Sequence, residues 1–193
     1  MILNIFGPSG SGKTSLIRNL LEKRKIKLFF ETFSKEKTDI NLNNKISISL
    51  IPIPIFRGSI KEFFDIYSIN LNLLLTLERE LKFLSDTIFN KINNQEDIDK
   101  ISLRKVESFS AGEIRRLFLL KSLLVDSRIM IIDEPFSNSD EKIWHIIYNA
   151  IKIKSKSIIL SHMSLETLFG SGCQNKSFHI NKIKKEVNEI LNY

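Results

Sequence analysis

Residues 1–15 read MILNIFGPSGSGKTS. Within them Gly7-Pro8-Ser9-Gly10-Ser11-Gly12-Lys13-Thr14 satisfies G-x-x-x-x-G-K-[ST], after a short apolar run and before a helical one. Glycines in this pattern let backbone N–H groups turn inward around phosphate oxygens. Leu16, Ile17, Leu20 and Leu21 recur at helical spacing behind the loop, so a helix N-terminus adds the positive end of its dipole. Lys13 is expected to reach the β and γ phosphates of a nucleotide, and the Thr14 hydroxyl to ligate Mg2+. Ser15 completes the expected phosphate cradle.

The 193 residues are most simply one domain with a real core, and 42% apolar with 26% charged residues is the balance of a globular protein. No apolar run approaches a membrane span, and the apolar start breaks at Gly7, too early for a signal peptide. The single cysteine, Cys173, cannot form an internal disulfide, which fits a reducing compartment and a cytoplasmic protein. The net charge of +7 is spread along a Lys-, Ile- and Asn-rich chain. Its short clusters, Lys23-Arg24-Lys25 and Lys182, Lys184, Lys185, make no strong case for nucleic acid.

Ile2 to Phe6 reads as a buried strand, and "IKLFFE" and "ISISLIPI" as two more. A helical pattern dominates from Ser59 to about Leu84, ahead of the polar "NKINNQEDIDK". A helix is expected from about Ala111, a strand at Ile129 to Ile132, a helix carrying Ile143, Ile146, Ile147, Ala150 and Ile151, and a strand at Ser157 to Leu160. The tail "KSFHINKIKKEVNEI" reads either as two short strands around Asn181-Lys182 or as a helix with Ile180, Ile183, Val187 and Ile190 on one face. Strands alternating with helices predict an α/β fold with much parallel pairing.

Two further segments carry chemistry. Ile129-Met130-Ile131-Ile132-Asp133-Glu134-Pro135 describes a buried strand presenting two carboxylates at its C-terminal edge, where ligands of α/β sheets bind. Asp133 is expected to hold Mg2+ and Glu134 to orient the attacking water as general base. Upstream, Ser108-Phe109-Ser110-Ala111-Gly112-Glu113 offers a hydroxyl and backbone N–H groups at a helix start; a plain Ser N-cap with an acid at N3 has the same pattern.

This last segment resembles the signature of ATP-binding cassette (ABC) ATPases, commonly Leu-Ser-Gly-Gly-Gln or -Glu, with the match at Ser110, Gly112 and Glu113. Ser137-Asn138-Ser139-Asp140 then stands at the family's D-loop, and Ile158-Ile159-Leu160-Ser161-His162 resembles its switch-histidine strand. The resemblance implies a P-loop NTPase: a mostly parallel sheet flanked by helices, with a helical subdomain at about 59–108 inserted in a single domain spanning 1–193. It implies a signature segment that touches the γ-phosphate held by a partner subunit, Asp140 coupling the two sites of a homo- or heterodimer, and His162 contacting the γ-phosphate. "IFRGSIKEFF" resembles the segment that enters the helical subdomain of exporter-type cassettes.

Two departures from the family pattern stand out. The antiparallel strands that usually precede the loop, with an aromatic residue that stacks on adenine, are expected to be missing; this predicts weak discrimination between ATP and GTP, within about tenfold. The Q-loop glutamine should fall near residues 51 to 54, where the sequence is Ile51-Pro52-Ile53-Pro54; the only glutamines are Gln95 and Gln174. Hydrolysis is therefore expected to be slow.

The reading favoured by this ordered set is a compact cassette ATPase that binds ATP and Mg2+, dimerises head to tail, and powers a separate membrane permease from the cytoplasm or the cytoplasmic membrane face. Rival readings are a cytosolic cassette without a transport role, a small P-loop nucleotide kinase, and a regulatory cassette that binds ATP without turnover. The kinase has no explanation for Ser-Ala-Gly-Glu, Asp-Glu-Pro and Ser-His in that order.

Overall fold

The computed structural model describes residues 1–35, 46–50, 52–154, 156–170 and 175–192. These divide into two compact units, each assembled from separate stretches of chain. The first takes residues 1–51, 128–134 and 155–193; the second takes 52–127 and 135–154, within which the expected 59–108 segment falls.

The first unit is built on five strands: β1 (Ile2–Phe6), β2 (Ile46–Ser49), β3 (Ile129–Asp133), β4 (Ser157–Ser161) and β5 (Lys176–His179). They form one sheet in the order β2-β3-β4-β1-β5, and every pairing among the described strands is parallel. The apolar, β-branched runs Ile129-Met130-Ile131-Ile132 and Ile158-Ile159-Leu160 are buried on both faces, as parallel strands require. Leu3, Ile5, Ile129, Ile131, Ile158 and Leu160, at alternate strand positions, share one core with three helices. Those helices are α1 (Lys13–Glu22), which gives Leu16, Ile17 and Leu20; α2 (Ile26–Ser34), which gives Ile26, Phe29, Phe30 and Phe33; and the C-terminal helix (Ile180–Asn192).

Two sequence expectations need correction here. "IKLFFE" is not a strand but the first part of α2. Its buried positions Ile26, Phe29, Phe30 and Phe33 follow i, i+3, i+4, i+7, a spacing that bulky β-favouring residues obscure in a six-residue window. The tail combines its two alternatives. Lys176–His179 pairs with β1 as β5, and the chain then turns helical at once, with Ile180, Ile183, Val187 and Ile190 buried on one face.

The second unit is helical: α3 (Ile60–Ile66), a 3-10 turn (Leu71–Leu75), α4 (Arg79–Phe89), α5 (Gln95–Ser102), α6 (Ala111–Leu124) and α7 (Glu141–Lys152). The polar stretch expected after Leu84 thus contains α5, started by Asn94, whose side chain accepts from the Asp97 N–H. Ser59 starts α3 with a capping box, its hydroxyl accepting from the Glu62 N–H while Glu62 accepts from the Ser59 N–H. Phe63, fully buried, makes edge-to-face contacts with Phe56, Phe64, Tyr67 and Phe118 at 5.0–5.5 Å between ring centres. Burial lowers the Lys121 ammonium below its usual range; it lies 4.4 Å from the centre of the Tyr67 ring. The remaining helices of the first unit are α8 (Leu165–Phe169), capped by Ser164, and α9, the C-terminal helix. No helix among the described residues is long and apolar enough to cross a membrane.

Candidate functional site

Strand register assembles the site. Phe6 of β1 stands opposite Ser161 of β4, and Leu160 of β4 opposite Asp133 of β3. The residues that follow each strand, Gly7, Glu134 and His162, therefore leave the sheet side by side at its C-terminal edge. The loop Gly7–Gly12 occupies that edge and runs directly into α1.

Two glycines of the loop are fixed by their surroundings. Gly12 adopts φ +88°, a left-handed conformation, as the residue before α1. A Cβ on Gly7 would stand 2.6 Å from Ile180 Cγ2, so only glycine lets β1 turn there. Lys13, 5% exposed, folds back over the loop, its Nζ donating to the carbonyls of Gly7 at 2.7 Å and Pro8 at 3.1 Å. The Ser11 hydroxyl oxygen is buried and makes no hydrogen bond among the described residues.

The two acids lie against this loop. Thr14 Oγ1 donates to Asp133 Oδ2 at 2.6 Å. Lys13 Nζ is 3.7 Å from Glu134 Oε1, and His162 Nε2 is 3.4 Å from the same oxygen. Glu134 has φ +49°, a conformation that costs a non-glycine residue on the order of 1–2 kcal/mol. Its N–H donates to Leu160 O at 2.7 Å, which holds the turn. Hydroxyl, carboxylate and ammonium groups thus converge where three strands end. The Thr14–Asp133 pair supplies hard oxygen donors that fit Mg2+, a cation that takes one or two protein ligands and completes its shell with phosphate and water.

In the second unit the signature-like segment is a helix cap. The Ser110 hydroxyl accepts from the Glu113 N–H at 3.3 Å, and Glu113 Oε2 accepts from the Ser110 N–H at 2.8 Å, opening α6. Burial pushes the Glu113 carboxyl up, but the two hydrogen bonds with Ser110, together with the nearby Arg116 and Arg104 guanidinium groups, outweigh it and hold the group below the usual carboxylate range. Phe109 is buried, with the Arg104 guanidinium 3.9 Å from its ring centre. Asp140 caps α7, accepting from the Ile143 N–H at 3.0 Å. Ser137 accepts from Arg115, and Trp144 Nε1 donates to the carbonyls of Phe136 and Ser139, both at 2.9 Å.

Of the expected site residues, the structure brings Lys13, Thr14, Asp133, Glu134 and His162 together in the first unit, while Ser110, Gly112, Glu113 and Asp140 belong to the second. Where a Q-loop glutamine was expected, Pro52, Ile53 and Pro54 form irregular chain; Ile51 lies outside the described residues, as do Cys173 and Gln174. Gln95 Nε2 donates to Asp99 at 3.0 Å on its own helix. The sequence pattern did not single out Asn4, fully buried in β1. Its Nδ2 donates to Met163 O and its Oδ1 accepts from Ser161 Oγ, both at 2.9 Å, which ties the turn carrying His162 to the strand before the loop. The signal was an amide in the middle of an apolar strand.

Residues 1–137 match the sequence model of a family described as ABC transporter. The zinc import ATP-binding protein ZnuC of Ehrlichia canis is 28% identical over 195 residues, covering 96% of this chain and 74% of that protein. The thiamine import ATP-binding protein ThiQ of Aliivibrio fischeri is 27% identical, covering 86% of this chain and 70% of that protein. Among solved structures, an ATP-binding subunit of an ABC transporter superposes with a TM-score of 0.56 at 14% identity, covering 100% of this chain and 88% of its own. Both sequence relatives are named for import, so the exporter-type resemblance around "IFRGSIKEFF" gains no support from them.

Proposed function

This chain belongs to the ABC transporter family, and on that premise we propose that it is a transporter's ATP-binding subunit, hydrolysing Mg-ATP to drive a separate membrane permease in the direction of import. The observation that carries the proposal is the convergence of Lys13, Thr14, Asp133, Glu134 and His162 at the ends of β1, β3 and β4. The names of the zinc and thiamine relatives support import but disagree on the solute, so the transported substrate belongs to the permease and its own partners.

In this reading the backbone N–H groups of Gly7–Ser15 and the Lys13 ammonium bind the β and γ phosphates. Thr14 and Asp133 would hold Mg2+, which neutralises phosphate charge when bound. Glu134 orients the attacking water and accepts its proton; the Lys13 and His162 contacts hold its carboxylate over the loop. His162, half-exposed, reaches the γ-phosphate from β4. Ser110, Gly112 and Glu113 of one copy present the start of α6 to the nucleotide of a second copy, homologous or identical, and Asp140 borders that contact. With proline and isoleucine where a Q-loop glutamine stands in the family, turnover is slow. The protein works at the cytoplasmic face of the membrane, beside its permease.

The test is steady-state phosphate release from Mg-ATP by the wild type, Glu134→Gln and Lys13→Ala. Glu134→Gln is expected to lower turnover by about 10²–10⁴ while keeping nucleotide affinity, since a general base contributes that range. Lys13→Ala is expected to lose affinity. Hydrolysis by Glu134→Gln at the wild-type rate would remove Glu134 from its role, and phosphate transfer to a nucleoside monophosphate would restore the kinase reading.

A further inference from the structure

The C-terminal helix brings a second cation to the phosphate loop. α9 leaves β5 without a linker, and Ile180, its first residue, is fully buried beside Gly7. One turn further, Lys184 Nζ donates to the carbonyl of Ser11 at 2.6 Å, a bond between residues 173 positions apart. The same Nζ lies 3.2 Å from the point a Cβ on Gly12 would occupy. Ile183 and Val187 share a core with Leu16, Ile17 and Leu20 of α1, so the helix that carries Lys184 and the helix that the loop enters are fixed to each other.

The geometry of the peptide unit gives this contact its meaning. In a trans peptide the C=O and the following N–H point in opposite directions. A donor bonded to the Ser11 carbonyl therefore sets the direction of the Gly12 N–H on the other side of the same plane. Gly12 holds that plane weakly by itself, since glycine is free to leave φ +88° for many other backbone conformations. In this motif the inward N–H groups are what the phosphates bind. Lys13 cannot supply the restraint, because its Nζ bonds to Gly7 and Pro8 at the loop's other end.

We propose that Lys184 is a positioning residue for the nucleotide: it fixes the Ser11–Gly12 peptide with its N–H toward the phosphates, and so makes nucleotide affinity depend on α9. The proposal rests on the reading of the Gly7–Ser15 loop as the ATP site. Lys184 bonds to the loop rather than to the nucleotide, so it acts through the backbone and not on the reacting atoms.

The experiment compares the wild type, Lys184→Ala, Lys184→Arg and Lys185→Ala by calorimetric titration with ADP and Mg-ATP, alongside kcat, KM and thermal unfolding without nucleotide. Lys185 is exposed on the same helix, and its removal takes away the same charge. Lys184→Ala is expected to weaken ADP and ATP about tenfold, the scale of one charge-assisted hydrogen bond, and to raise KM by the same factor at unchanged kcat. Lys185→Ala stays within about twofold, since an exposed charge alone is worth little. Lys184→Arg, which keeps a donor, recovers most of the affinity. Equal losses in Lys184→Ala and Lys185→Ala would overturn the proposal in favour of a general field effect. A lower unfolding temperature and kcat at unchanged KM would overturn it in favour of a helix brace, and wild-type affinity in Lys184→Ala would overturn it outright. A wild type that binds neither nucleotide would instead remove the ATP-site reading beneath it.

Discussion

Asn4 shows what a single buried amide does for the site. It has no exposed surface, and it joins β1 to the Ser161–Met163 turn through two hydrogen bonds of 2.9 Å. Asn4→Ala takes a donor from Met163 O and an acceptor from Ser161 Oγ, whose single hydrogen is shared between Asn4 Oδ1 and Met163 O, 2.6 Å away, and can turn wholly to the latter. The expected cost is about 1–3 kcal/mol in urea unfolding, with a fall in kcat as the His162 turn loosens. Unchanged stability together with unchanged kcat would show that the turn is held by its backbone alone. At this scale the sequence was most legible where chemistry demands a residue type. Gly12, Lys13 and Thr14 stand out by motif spacing, and Asp133 and Glu134 as two acids closing an apolar run. Asn4 and Lys184 do not, because each works through a partner more than 150 residues away in the chain.

The elements follow local rules where caps and periodicity agree. Ser59 and Ser110 open α3 and α6 with the same reciprocal cap, and Asn94, Asp140 and Ser164 open α5, α7 and α8. Ser59→Ala is expected to cost about 1 kcal/mol of stability by thermal or urea unfolding, with no change in ATP affinity. Ser110→Ala has the same structural cost, so a larger loss of activity than Ser59→Ala would separate its proposed nucleotide role from its capping role. The Glu113 carboxyl is held below its ordinary range, so its contribution to the start of α6 is complete above the ordinary carboxylate pKa and disappears as pH falls through the lowered value. Unfolding of Glu113→Gln should therefore lose part of the wild type's acid sensitivity. The elements that resisted reading were those where composition contradicted period. Two adjacent phenylalanines made α2 look like a strand, and the β5–α9 junction changes from alternation to helical spacing without a glycine or proline to mark it.

At the scale of the whole molecule, the two units interleave along the chain, with changes near residues 51, 127, 134 and 154. Prolines stand at two of these points, Pro52 with Pro54 at the first and Pro135 after the two acids at the third, but no Gly- or Ser-rich linker does. Division into units is a property of long-range packing, and prolines at two of the points do not say which stretches come together. The parallel sheet, by contrast, was legible as a class, since apolar runs alternating with amphipathic helices have few other solutions. What the fold does with ATP is tested most directly by the mass of Glu134→Gln in solution, measured by light scattering with and without Mg-ATP. A doubling of mass is expected on adding Mg-ATP, lost again when Ser110→Arg is introduced into the same variant. A species that binds ATP and keeps the monomer's mass would contradict the proposed head-to-tail assembly of two cassettes.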